Sequence, residues 1–177
     1  VLTYEQKPDK DRVVNVVSDY LSSNGFNEIM NNSLTRSAYY ETSERYKDTI
    51  VYIRNPLSSD LNCMRQTLLF GGLETILNNT NHRNPNLKLY EFGNTYCMDK
   101  SRKVENPFDK YSETYSLALF ITGLKETGNW LTPEAPSTFY YLKTYIHNIF
   151  ERIGIHTASL TAKSTTRDEL ADGLSYE

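Results

Sequence analysis

Eight glycines are spread through this 177-residue sequence, and none falls in a GxGxxG, GxxxxGKS/T or GxSxG pattern. Phosphate-cradling loops and a nucleophile elbow therefore lack their usual signals. Only two cysteines occur, Cys63 and Cys97; they have no CxxC spacing and no histidine at a zinc-finger interval. That reads as two free thiols in a reducing compartment rather than a metal site or disulfide framework. The three histidines, His82, His147 and His156, include no pair at the i, i+4 spacing of a helical metal site. No apolar run approaches the roughly 20 residues of a membrane span. The opening residues Val1 to Glu5 are not a signal peptide and lack Met, so the expectation is one domain, residues 1–177, cut at both ends from a longer chain.

What is present points to a globular fold. The apolar fraction is 38% and the charged fraction 23%, which excludes a disordered polymer. Net charge is −3, so no basic footprint for nucleic acid stands out; Lys100, Arg102 and Lys103 are followed by Glu105 and Asp109 and read as a solvated loop. The fourteen tyrosines predict hydroxyls at surfaces and interfaces.

Acidic Asp9 and Asp11 open a helix, Val13, Val14, Val17, Tyr20 and Leu21 give it an apolar stripe, and Gly25 suits its C-terminal cap. Strands are predicted at 26–34, 49–53, 87–97, 116–122 and 155–162, with a short helix within 37–46 and a polar loop over 98–112. A second helix is predicted over 64–79, its Gly71-Gly72 pair marking a kink or a close approach. Ser137 is the expected cap of a third helix, with a seam of Phe139, Leu142, Ile146, Ile149 and Ile153. The last fifteen residues show no clear element. Strands that follow one another without regular crossover helices favour an α+β domain, a mainly antiparallel sheet flanked by helices. From the residues alone, the catalytic site is not identified.

One stretch is more specific. Asn55, Pro56, Leu57, Ser58, Met64, Arg65, Thr67, Leu68, Leu69, Gly71 and Leu73 match the segment NPLS-x-(D/E)-x-x-x-(M/L)-R-x-(S/T)-LLPGLL of phenylalanyl-tRNA synthetase β subunits of bacterial type, with Phe70 at the usual proline. Leu89 to Tyr96 resembles the family's LFEIG-x-VF strand, Thr138 to Lys143 its DFF-x-LK helix start, and the helix at 10–25 with Phe26 to Ile29 its opening. Together these span about 10 to 155.

The resemblance implies a class II aminoacyl-tRNA synthetase-like fold whose chemistry belongs to another chain, the α subunit, which activates phenylalanine with ATP and charges tRNA(Phe). The full complex, a cytoplasmic (αβ)2 heterotetramer using ATP and Mg2+, is the ligase; this domain alone is expected to be inactive and to bind no cofactor and no metal. Class II sites place an arginine on the ATP α-phosphate at the end of the strand matched by 87–97, and the corresponding residue here is Cys97, which offers no bidentate contact. Arg167 is the only late arginine, and no glycine-rich strand leads into it. In class II enzymes the first helix and the following strand build the subunit interface, so the resemblance makes Val13, Val17, Tyr20 and Leu21 candidate interface residues, the alternative being that this stripe packs on its own sheet. Arg65 is expected to form an ion pair with Glu91 that holds the Asn55–Ser59 turn. Two other functions stay open: a working adenylating enzyme, marked by saturable ATP binding, and a free-standing RNA-binding module, marked by steep salt dependence.

Overall fold

The computed structural model describes residues 9–101, 105–167 and 169–177. Helix α1 runs Lys10–Ser23, with the Asp9 carboxylate accepting from the Asp11 and Arg12 amides. Gly25 follows its end at φ 80°, a left-handed conformation that favours glycine. Short strands β1 (Asn27–Glu28) and β2 (Leu34–Thr35) precede helix α2 (Ala38–Glu41) and β3 (Cys63–Met64). Then come α3 (Leu69–Asn81), the long hairpin β4 (Leu87–Met98) and β5 (Tyr111–Thr122), β6 (Leu124–Glu126), β7 (Ala135–Pro136), α4 (Phe139–Arg152), β8 (Ala162–Ser164) and β9 (Leu174–Tyr176).

The centre is the β4–β5 hairpin, antiparallel from Leu87↔Thr122 to Met98↔Tyr111, with β1 added parallel to β4. Strand geometry sends alternate residues to opposite faces. Tyr90 and Phe92 face α1 and α4, where Val17, Leu21, Phe26, Tyr145 and Ile149 complete a core. Leu87 and Leu89 face the other way and pack with Phe120, Leu69 and Ile76 under α3. A third, smaller core joins Tyr40, Ile50 and Cys63; Phe70 adds to it by stacking on Tyr39 at 4.8 Å between ring centres. The chain is therefore a mixed α/β fold with small antiparallel sheets.

Several elements differ from the sequence reading. The strand expected at 26–34 is broken into β1 and β2 because Asn31 and Asn32 spend their side chains on Glu91 and on the Leu34 amide. Residues 49–53 form only the isolated bridge Tyr52↔Cys63, because their amides and carbonyls serve four separate partners, Tyr46, Asn62, Met64 and Met98. Helix α3 starts at Leu69 rather than Met64, since Met64 belongs to β3 and the Arg65 carbonyl accepts from the Tyr96 amide. Strand β5 begins at Tyr111, where full pairing with β4 overrides a polar sequence. The cap of α4 is Thr138, while the Ser137 amide bonds the Gly123 carbonyl. Tyr145 shares the α4 seam with Ile149, and Phe139 and Ile153 are left exposed. No strand forms at 155–162 beyond Ala162: Glu151 accepts from the Thr157 amide at 2.8 Å and draws 157–159 into a single helical turn. The polar end of the chain folds as the β8–β9 hairpin, anchored by Tyr176 on His147 and Phe150 of α4. Of the basic stretch, Arg102 and Lys103 lie outside the described residues.

Candidate functional site

The Glu91 side chain points to the α3 face of the hairpin, between Leu89 and Gly93. A carboxylate that is 0% exposed needs every lone pair matched. Arg65, 7% exposed, supplies the countercharge: its Nη1 lies 2.5 Å from Glu91 Oε1. Asn31 donates its amide N–H to the same oxygen at 3.1 Å and its Nδ2 to Oε2 at 2.8 Å. Arg65 also donates to the Asn94 carbonyl from Nε (2.9 Å) and to the Asn31 carbonyl from Nη1 (3.3 Å). Thr75 of α3 closes the network by donating to Asn31 Oδ1 at 3.0 Å. Gly93 is required beside it, because a Cβ there would lie 2.1 Å from Arg65 Nη2.

Charge and burial thus bring Arg65 and Glu91 together through one guanidinium nitrogen, but not around the Asn55–Ser59 turn. The partners of the guanidinium are Glu91, Asn31 and Asn94, and the turn is exposed. The network ties β3, the 29–33 link, β4 and α3 into one body. Asn31, Thr75 and Asn94 carried no sequence signal, since isolated polar residues look alike whether solvated or buried. None of these bonds sets a nucleophile against a base.

Two cavities flank the network. One of about 320 Å³ is lined by Asn32, Arg36, Asp60, Arg65, Thr67 and Glu74, and Arg36 pairs there with both Asp60 (3.9 Å) and Glu74 (3.7 Å). The second, about 330 Å³, lies over the same hairpin face and is lined by Thr67, Thr95, Ser116, Phe120, Arg45 and Arg167.

At the far end of β4, Cys97 is exposed, and its Sγ lies 2.8 Å from Ser112 Oγ on the paired strand. Cys63 is the opposite case: it is buried, its Sγ bonds the Thr35 carbonyl, and burial pushes its thiol up to about 11, with Glu41 adding to the effect. At pH 8, an alkylating reagent is expected to modify Cys97 within minutes and Cys63 only after unfolding, as followed by intact mass. The same shift has a stability consequence. The unfolded thiol ionises near its ordinary value while the folded one keeps its proton. The Cys63 contribution is therefore present below about pH 8.5 and lost as pH rises toward 11.

The expected interface stripe is divided by the fold. Val17 and Leu21 are 2% and 0% exposed and belong to the chain's own core, so they are withdrawn as interface residues. Tyr20 is engaged internally as well: its hydroxyl accepts from Asn148 at 2.9 Å, and the Arg152 guanidinium lies 4.0 Å from its ring centre. Val13 remains open at 39%, joined by Val16 at 38%, which lies outside the apolar stripe of the sequence. The two valines line a groove of about 310 Å³ with Asp9, Arg12, Arg152 and Ile153, between the start of α1 and the end of α4.

The histidines serve structure: His82 Nδ1 meets the Asn78 carbonyl, His147 Nε2 the Tyr176 hydroxyl, and His156 Nδ1 the Glu151 carboxylate. Among the described residues, no three His, Cys, Asp or Glu side chains converge as a metal site, and no helix is long and apolar enough to cross a membrane.

The family model described as phenylalanyl tRNA synthetase beta chain CLM domain matches residues 2–177. The chain is 47% identical over 177 residues to the phenylalanine–tRNA ligase beta subunit of Bacteroides thetaiotaomicron, covering 98% of this chain and 22% of that protein. It is 46% identical over 170 residues to the protein of that name from Bacteroides fragilis, covering 94% and 21%. With the one from Porphyromonas gingivalis it shares 40% over 161 residues, covering 90% and 20%. The chain thus spans about a fifth of the length of these curated relatives. Among solved structures, it is similar to the pyrrolysyl-tRNA synthetase from Desulfitobacterium hafniense, with a TM-score of 0.64 at 15% identity over 97% of this chain and 56% of that one. A likeness at that identity speaks for the fold alone.

Proposed function

The chain belongs to the phenylalanyl tRNA synthetase beta chain CLM domain family, and from that premise we propose that it is a single catalytic-like, non-catalytic domain that pairs with and supports an α subunit. In this reading the α subunit activates phenylalanine with ATP and Mg2+ and charges tRNA(Phe). The assembly is a cytoplasmic (αβ)2 heterotetramer, and the isolated domain has no ligase activity of its own.

The observation that carries the non-catalytic part is the end of β4. The hairpin is fully paired to Met98↔Tyr111, yet Cys97 and Ser112 stand there with a thiol and a hydroxyl. Neither presents the planar cationic fork that grips a phosphate bidentately. A fully built strand pair without that cation is a scaffold that has kept its fold.

The pairing surface is placed at the groove between α1 and α4, where Val13 and Val16 are half-exposed beside charged Arg12 and Arg152. An apolar patch with a charged rim is the ordinary anatomy of an interface. Calorimetric titration of the chain with the α subunit tests this. Val13→Asp is expected to weaken binding by about tenfold or more, because a carboxylate would be desolvated on docking. The far-UV circular dichroism should be unchanged, since Val13 is solvent-facing. Unaltered affinity in a folded Val13→Asp, Val16→Asp chain would move the interface elsewhere, and saturable ATP binding by the chain would overturn the non-catalytic reading.

A further inference from the structure

Near the start of α4, away from the groove at its end, one tyrosine out of fourteen stands in an unusual setting. Tyr141 has an ammonium on each of two neighbouring strands: Lys125 Nζ of β6 is 5.3 Å from its ring centre and Lys88 Nζ of β4 is 5.5 Å. Lys88 is held in place by aromatic walls, 5.8 Å from the Tyr145 ring centre and 6.0 Å from that of Phe26, and by donating to the Asn24 carbonyl at 3.1 Å. Lys125 shares its charge with Glu126 at 3.6 Å, the one acidic group paired with the cluster among the described residues. Within α4, Tyr145 sits one turn on and donates its hydroxyl to the Tyr141 oxygen at 2.8 Å.

This arrangement favours the phenolate of Tyr141. Burial pushes its phenol up. The hydrogen bonds from Lys88 and Tyr145 and the charges of Lys88 and Lys125 outweigh that and hold it below the usual tyrosine value. Tyr145 goes the other way, raised by burial and by its bond to Tyr141. Tyr141 itself is only partly buried.

We propose that Tyr141 is a nucleophilic phenol that accepts acyl groups from acyl phosphates, with Lys88 and Lys125 attracting the anionic leaving group. The Tyr141 oxygen attacks the acyl carbon and forms an aryl ester. The bond between that carbon and the phosphate oxygen breaks, inorganic phosphate departs with the electron pair, and the phenolic proton passes to solvent. No oxidant or further reactant is needed.

Acetyl phosphate is the probe. The chain is incubated with it at pH 8, and acetylated peptides are read by mass spectrometry before and after neutral hydroxylamine, which cleaves aryl esters and leaves lysine amides. The expected product is a hydroxylamine-labile acetyl group on Tyr141, formed roughly threefold faster or more than on the exposed Tyr140 and Tyr111. Lys125→Met should slow it by a similar factor and Lys125→Arg restore it, with the circular dichroism unchanged because Lys125 is solvent-facing. A second measurement needs no variant: the labelling rate of Tyr141 should reach half its plateau at a lower pH in the folded chain than in the same chain in urea. Acetyl amides on Lys88 or Lys125 without the ester, esters distributed by exposure alone, or equal half-plateau pH in both states would each overturn the proposal.

Discussion

Glu91→Gln is expected to destabilise the fold by about 3–5 kcal/mol, because it leaves the Arg65 charge buried without its counterion. For a chain of this size, that corresponds to a fall in Tm of roughly 6–20 °C. The substitution keeps the side-chain shape, so packing loss does not enter. The difficulty is one of donors. The carboxylate accepts from Arg65 and from both nitrogens of Asn31. A glutamine must turn its own amide N–H2 toward one of these donors, and whichever it faces is left unmatched. Arg65→Met should cost a comparable amount by stranding the carboxylate. The double variant Arg65→Met, Glu91→Gln should cost less than the sum of the two, with a coupling of about 0.5–3 kcal/mol. Urea unfolding followed by circular dichroism measures all three. Singles below about 1 kcal/mol with an additive double would show that the pair is not what holds β3, β4 and α3 together.

Gly72→Ala is the second substitution with a large expected effect, and its sign is set by a contest. Alanine in a helix interior is favoured over glycine by about 1 kcal/mol. Against that, a Cβ on Gly72 would lie 2.1, 2.4 and 2.5 Å from three ring carbons of Phe120. The ring is itself buried with Leu87 and Leu89, so it cannot swing into water. Overpacking of this kind costs about 1–3 kcal/mol and displaces backbone, here by lifting α3 from the hairpin. We expect a net loss, measured as a lower urea midpoint, and recovery of most of it in Gly72→Ala, Phe120→Leu, where the ring is gone. Gly71→Ala is the contrast. Its nearest neighbours are Asn31 side-chain atoms at 3.1–3.3 Å, so a small adjustment suffices. A Gly72→Ala chain as stable as the parent would refute the close helix-to-sheet approach.

The Gly71-Gly72 pair shows how far a sequence carries such an argument. Two consecutive glycines in an amphipathic helix announce either a kink or a near neighbour, but only the fold says that Gly72 meets Phe120, nearly fifty residues away. The helices with a clean stripe, 10–23 and 139–152, were legible because their apolar spacing and flanking glycines are local signals. Strand 87–98 was legible for the same reason. The stretches at 26–34 and 49–53 were not. Each has strand-like composition, yet Asn31 and Asn32 bond outside the ladder, and the backbone of 49–53 is shared among several partners. Phe70 stands where the family pattern usually has proline. In the structure it stacks on Tyr39 and packs edge-on against Tyr40, filling a separate core.

By itself, the sequence determined the family resemblance, the main helices, the central strand with Glu91 within it, and the thiol at the strand end where the resemblance implies an arginine. These are encoded in residue type and short spacing. The sequence also paired Arg65 with Glu91; only the tertiary structure decided that this pair does not hold the Asn55–Ser59 turn, that Asn31 binds both of its members, and that half of the first helix's stripe is core while Val13 and Val16 stay open. It also decided that two lysines from different strands converge on Tyr141. Each of these rests on contacts between residues far apart in the chain, where hydrogen-bond geometry and exclusion of water choose the partner.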